Sequence, residues 1–213
     1  RTRLEGEISA LRALAFHFTG LVGESLEAAR HALARIAADS VYVRGVTEFV
    51  LIRTTAHIGQ RDQAIELAES FLGRQSNQPT SRSLRLLLGV CSIHYDAMDI
   101  PRLTSTAMMF RVLAQKAKRP ISVAWTSFLL GWAYYQRNEL TLAEQFFAEV
   151  VQKPDQAHAR AVIDCWIGLA FTLQAMGRRD EARQAAAQLH DFLIEGGKVE
   201  LAVIAETLRQ QLN

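Results

Sequence analysis

Apolar residues return every three or four positions along almost the whole chain, which is the spacing of one face of an α-helix. Leu4, Ile8, Leu11, Leu14, Ala15 and Phe18 form such a face over residues 3–19. Gly20 and Gly23 interrupt it, and Leu26, Ala29, Leu33 and Ile36 resume it from Glu24 to Ala38. A second pair of helices runs from Tyr42 to Ile58 and from Gln63 to Gly73, with a turn over Gly59–Asp62 and Asp62 as the expected N-cap. The polar run Gln75–Thr80 reads as a loop. Ser81–Asp96 then pairs with Pro101–Lys118, with Pro101 in a first helical turn, where its missing N–H costs little. A fourth pair opens at Pro120, turns around Asn138 and is ended by Pro154. A fifth joins Gln156–Met176 to Asp180–Glu195 through Gly177, and Lys198–Leu212 makes one more amphipathic helix. No alternating run rich in Val, Ile and Thr is bounded by turn residues, so no sheet is predicted.

These pairs repeat. Ala28, Ala64, Leu103, Ala143 and Ala182 fall at successive intervals of 36, 39, 40 and 39 residues. In the clearest copy, Gly131 and Ala143 are small where the two helices approach, and Leu130, Tyr134, Phe147 and Val150 are large around that contact. This order is that of the tetratricopeptide (TPR) helical hairpin, in a form longer than its minimal repeat of about 34 residues. A lone hairpin cannot bury its apolar stripe, but stacked hairpins can. The predicted fold is all-α: a right-handed superhelix (solenoid) of about five hairpins, over 3–38, 42–74, 81–118, 120–153 and 156–195, with a cap over 198–212. Residues 1–213 are expected to form one such domain.

Composition narrows the class. The chain has 213 residues, 49% of them hydrophobic and 22% charged, with a net charge of +2 that points to no polyanionic partner. Its two cysteines, Cys91 and Cys165, lie in apolar helical runs and read as reduced thiols of a cytoplasmic protein. The longest uncharged run, Ile121–Gln136, falls short of the roughly 20 residues of a membrane span. Because the chain opens at Arg1 without Met, it is expected to belong to a longer protein.

Three phrases carry a family likeness: Ala56–Ala64 (AHIGQRDQA), Leu130–Leu140 (LGWAYYQRNEL) and Leu173–Ala182 (LQAMGRRDEA). They resemble the long TPR repeats of the large ATP-dependent, LuxR-type (MalT-like) bacterial transcription activators. In that family an N-terminal ATPase precedes the repeats and a helix-turn-helix follows them. The resemblance implies an effector-sensing domain, with ATPase and DNA-binding domains as neighbours. This segment has no G-x-x-x-x-G-K-[ST] phosphate loop, and residues 204–213 carry only Arg209 as a cation. No cofactor is therefore expected here; ATP and DNA would be bound outside the segment.

In such a repeat the first helix of each hairpin lines the concave surface. Its inward positions are Trp125, Phe128, Trp132, Tyr135 and Gln136 in the fourth hairpin, at helical spacing. The matching positions are Phe49, Arg53 and His57 in the second, Arg85, Tyr95 and Asp96 in the third, and Asp164, Phe171 and Gln174 in the fifth. Rings with a few polar groups around them suit a small ligand or a peptide. The competing reading of an aromatic stripe is packing between hairpins. Cys91 with His94 makes half a metal site at most. His190–Asp191 lacks a nucleophile in sequence reach, and Lys116, Lys118 and Arg119 read as cations at a helix end. No catalytic constellation is recognisable, and the expected activity is binding: sensing of an effector or partner, or scaffolding of a peptide or partner helix.

Overall fold

The computed structural model describes residues 2–37, 39–73 and 79–212. Among them there are eleven α-helices and no strand: α1 (Thr2–Phe18), α2 (Val22–Leu33), α3 (Val41–His57), α4 (Arg61–Leu72), α5 (Ser81–Asp96), α6 (Ile100–Lys116), α7 (Pro120–Gln136), α8 (Leu140–Val151), α9 (Ala159–Ala175), α10 (Arg179–Glu195) and α11 (Ala202–Gln211). Short 3₁₀ turns at Pro154–Gln156 and Val199–Leu201 precede α9 and α11. The helices group into two compact units, residues 1–117 and 118–213. In the first, α1 packs on α2, α2 on α3, α3 on both α4 and α5, and α5 on α6. In the second, α7 packs on α8, α8 on α9, α9 on α10 and α10 on α11, while α7 and α9 lie side by side.

The hairpin turns share one device. A residue in the left-handed region ends each first helix, at positions 20, 59, 98, 138 and 177, which are spaced 39, 39, 40 and 39 apart. The next residue then donates its N–H five residues back, as in Leu21 to Phe16 O (2.9 Å), Asp99 to His94 O (2.9 Å) and Arg178 to Leu173 O (2.9 Å). This bond satisfies a carbonyl that the helix leaves open. Gly20, Gly59 and Gly177 adopt the conformation without a Cβ penalty, Asn138 tolerates it, and Met98 holds it at φ 52°.

That turn corrects the register of the first repeat. Five residues beyond each turn stand Ser25, Ala64, Leu103, Ala143 and Ala182, and all five are fully buried. Ala28, the residue expected there, is only half-buried. Ser25 reads as polar in the sequence, but its hydroxyl donates to Ala13 O at 2.9 Å and lies 3.2 Å from Thr54 Oγ1. A paired hydroxyl is tolerated at a close helix contact.

Nine residues beyond the turns stand Ala29, Ala68, Ala107, Phe147 and Ala186, again fully buried. The Phe147 ring lies between Gly131 of α7 and Gly168 of α9. A Cβ on Gly131 would come within 2.6 Å of the ring, and one on Gly168 would overlap it. In the first unit the large group at this junction comes from the other helix. Ile52 stands where Gly131 stands, Ala68 where Phe147 stands, and Gly89 faces Ile52, where a Cβ would lie 2.6 Å from the isoleucine's terminal carbon. The volume has moved from one helix of the hairpin to its partner, which close packing permits.

Several expected boundaries shift. α2 begins at Val22, before Gly23, and ends at Leu33. The 75–78 part of the predicted loop, and residues 38 and 74 at predicted hairpin ends, lie outside the described residues. Asp62 is not the N-cap of α4. Gln60 takes that position and Asp62 sits in the first turn, where its charge favours the positive end of the helix dipole. α6 is capped by the Asp99 side chain, which accepts from the Arg102 N–H at 3.2 Å, with Pro101 in the first turn. No described helix is long and apolar enough to cross a membrane.

Candidate functional site

The first-helix face of the first unit is built from α1, α3 and α5; Arg53, His57 and Asp96 on it answer one another, while Arg85 keeps a buried Nη1 without a hydrogen-bond partner. Arg53 donates to Asp96 at 2.6 Å, and its other amino group lies 3.3 Å from His57 Nε2. His57 Nε2 is also 3.7 Å from Asp96. The imidazole of His17 stacks on His57 (5.6 Å, 6° between planes) and meets Phe49 edge-on at 6.4 Å. Thus four expected residues, Phe49, Arg53, His57 and Asp96, do come together. Arg85 instead lies over the Tyr42 ring at 4.8 Å, and Tyr95 is half-buried.

His17 belongs to this group and was not among the candidates. It stands three residues before Gly20, as Tyr135 stands three before Asn138, so the corrected register would have found it. Burial, with Arg53 and His57 nearby, lowers its pKa to about 4. Between pH 6.5 and about 4 the unfolded chain binds a proton at His17 that the folded chain refuses, so acidification through that window destabilises the fold. His94, lowered by burial and by Arg61, acts in the same direction. We expect the thermal midpoint to fall as the pH is taken from neutral to about 4, and to fall less in a His17→Phe variant. Equal slopes for both proteins would contradict the placement of His17.

The first-helix face of the second unit, formed by α7, α9 and α11, is chemically different. Trp132 meets Tyr135 edge-on at 5.4 Å and rests edge-on against Phe147 at 5.8 Å, so the buried wedge holds it in place. Trp125 stacks on His158 at 6.0 Å and touches Phe128 at 6.0 Å. Phe128 is 8% exposed, so it supports Trp125 from beneath and does not line an open surface. Trp125, Trp132 and Tyr135 are half-buried, neither entombed nor free of the fold, and Gln136 is exposed. Asp164 is bound by Arg160 at 2.8 Å, and burial pushes its carboxyl pKa up.

Phe171 and Ile167 form one wall of a cleft of about 260 Å³, and Val203, Ile204 and Thr207 of α11 form the other. Gln174 donates to Gln211 O at 3.4 Å near its end. The α11 wall lay outside the expected positions, which were all taken from the first helices of the second to fifth hairpins.

Burial pushes the Cys91 thiol up to about 12 and Cys165 well above its usual value, so both are protonated near neutrality. His94 Nδ1 lies 3.2 Å from Arg61. Among the described residues no group of three or more His, Cys, Asp or Glu is placed to hold a metal ion. His190 lies 3.5 Å from its neighbour Asp191 on the surface, a pair between adjacent residues of one helix.

No family model matches the chain, and no curated protein matches it. Solved structures do. A putative kinesin light chain from Podosopora anserina, with nearly identical TPR-like repeats, superposes with a TM-score of 0.64 at 17% identity, over 88% of this chain and 94% of that one. A point variant of that protein gives 0.65 at 17% identity, over 89% and 95%. The apo form of RapI gives 0.62 at 11% identity, over 99% of this chain and 83% of that one. At these identities the likeness shows the fold alone: this chain is built of TPR-like helical repeats.

Proposed function

We propose that the chain is a non-catalytic protein-interaction module, and that the first-helix face of its second unit takes an apolar segment of a partner, either an extended peptide or one face of a helix. The supporting observation is the half-exposed Trp132–Tyr135 pair, with Phe171 opening onto a cleft at the repeat position that Trp132 occupies on α7. Tryptophan and tyrosine in a partly desolvated setting carry much of the affinity at protein interfaces. Phe147 fixes Trp132 before any partner arrives, which lowers the entropy lost on binding.

The narrower role, effector sensing in a LuxR-type activator, rests on the three repeat phrases in the sequence. The cleft of about 260 Å³ is lined mainly by the apolar side chains of Ile167, Phe171, Val203, Ile204 and Leu208, which suits an apolar segment of a partner. Selection of peptides on the folded chain, followed by titration of the selected sequences, tests the proposal. Tyr135→Ala and Phe171→Ala should each weaken the selected peptides about tenfold or more while the thermal midpoint stays within a few degrees. Peptides indifferent to both substitutions, or a sugar or metabolite that stabilises the chain when no peptide does, would overturn it.

A further inference from the structure

The second-helix side of the first unit carries another surface, unrelated to the aromatic face. A groove of about 510 Å³ runs between α4 and α6, with α5 beneath. Leu87 and Val90 of α5 form its floor, flanked by Ile65 of α4 and Met109 of α6. Along the α4 wall stand Asp62, Glu66 and Glu69, whose i, i+4, i+7 spacing places them in one strip. All three are exposed, and among the described residues none has an ion-pair partner. At the groove's end Arg61 and Arg102 share one carboxylate, Asp99, at 2.7 Å and 3.3 Å, so a single net positive charge remains there against the three negative charges of the rim. The groove is therefore apolar at its base and negative along one rim.

We propose that this groove docks a short amphipathic helix of a partner protein, with an apolar ridge on the floor and lysines or arginines along the flank facing Asp62, Glu66 and Glu69. Those carboxylates span about 10 Å at the helical rise of about 1.5 Å per residue. Cations at the same spacing on a docked helix meet each of them. Met109, 51% exposed, is the adaptable apolar group such sites use. The unanswered negative rim selects against a helix whose flank is acidic, so charge sets partner choice and the floor supplies contact.

The probe is a labelled synthetic helix of about 14 residues, within the usual length of protein helices. It carries leucine along one ridge and lysine along one flank, and a control carries glutamate in place of lysine. Fluorescence anisotropy at low salt should show binding of the lysine helix, about tenfold or more weaker binding of the glutamate helix, and weakening as salt is raised. The double variant Glu66→Lys, Glu69→Lys should lose about tenfold for the lysine helix. Met109→Lys, on the opposite wall, removes an apolar contact and adds a charge of the same sign as the probe's flank; it should lose a similar factor, and it decides the matter alone if the double variant fails to fold. Tyr135→Ala and Phe171→Ala should leave this binding unchanged, which separates it from the aromatic face. Equal affinity for the two helices, or indifference to the rim and Met109 substitutions, overturns the proposal. So does self-association of the protein that the rim substitutions abolish, since a second copy would then fill the groove.

Discussion

Phe147→Ala is expected to lower stability by about 3–5 kcal/mol, the range for emptying a fully buried aromatic site. The ring is completely enclosed, and two glycines have given up their side chains to make room for it. Gly168→Val should be comparably damaging for the opposite reason, since its Cβ would sit inside the ring's volume. The two lesions should not add. With the ring gone, valine at 168 fills part of the hole, and a coupling of about 1–3 kcal/mol is expected in the double variant. Urea midpoints of the four proteins measure this directly. Strict additivity would mean that the ring does not occupy that space. Because Trp132 rests on Phe147, the alanine variant should also alter tryptophan emission in the folded state. The packing of the second unit and the candidate binding face thus share one residue.

Arg82→Met should destabilise the first unit by about 3–5 kcal/mol, because it strands a buried carboxylate. Glu48 of α3 is 1% exposed, and Arg82 of α5 reaches it with two nitrogens, Nε at 2.6 Å and the terminal amino group at 2.5 Å. Gly45 makes the approach possible, since a Cβ there would stand 3.0 Å from the arginine stem. The loss belongs to the stranded charge more than to the pair. Glu48→Met combined with Arg82→Met should therefore recover most of it, as apolar replacements of buried pairs commonly do. A double variant no more stable than Arg82→Met alone would instead show that the fold depends on the pair's geometry.

Much of the architecture could be read from residue order. The 3.6-residue spacing of apolar positions placed the paired helices and the last one. Gly59, Asn138 and Gly177 marked turns because few other residues adopt the left-handed conformation at little cost. Pro101 and Pro120 marked helix starts because a missing N–H is harmless there. Such signals act within a few residues along the chain. The Ser25 position was missed because a hydroxyl looks polar until its distant acceptor, Ala13 O, is in place.

The site was only partly legible. Helical spacing put Trp132, Tyr135 and Phe171 on first-helix faces, but it could not tell Phe128, which packs inside, from Trp125 above it. Nor could it show that Arg53 and Asp96, 43 residues apart, answer each other, or that α11 walls the cleft beside Phe171. The acidic rim over the α4–α6 groove is visible as Asp62, Glu66 and Glu69, but the apolar floor beneath it comes from another helix, α5.

By itself the sequence determined which segments are helical, where they turn and how often the pattern recurs, since backbone preference and apolar spacing are properties of neighbouring residues. Only the tertiary structure decided which helix of a hairpin supplies the bulk at each junction, Ile52 in one unit and Phe147 in the other. It also decided which charges pair with one another, as Arg53 does with Asp96, and which stay exposed, as Glu66 and Glu69 do. Those outcomes depend on distances between residues far apart in the chain, and such distances exist only once the helices have packed.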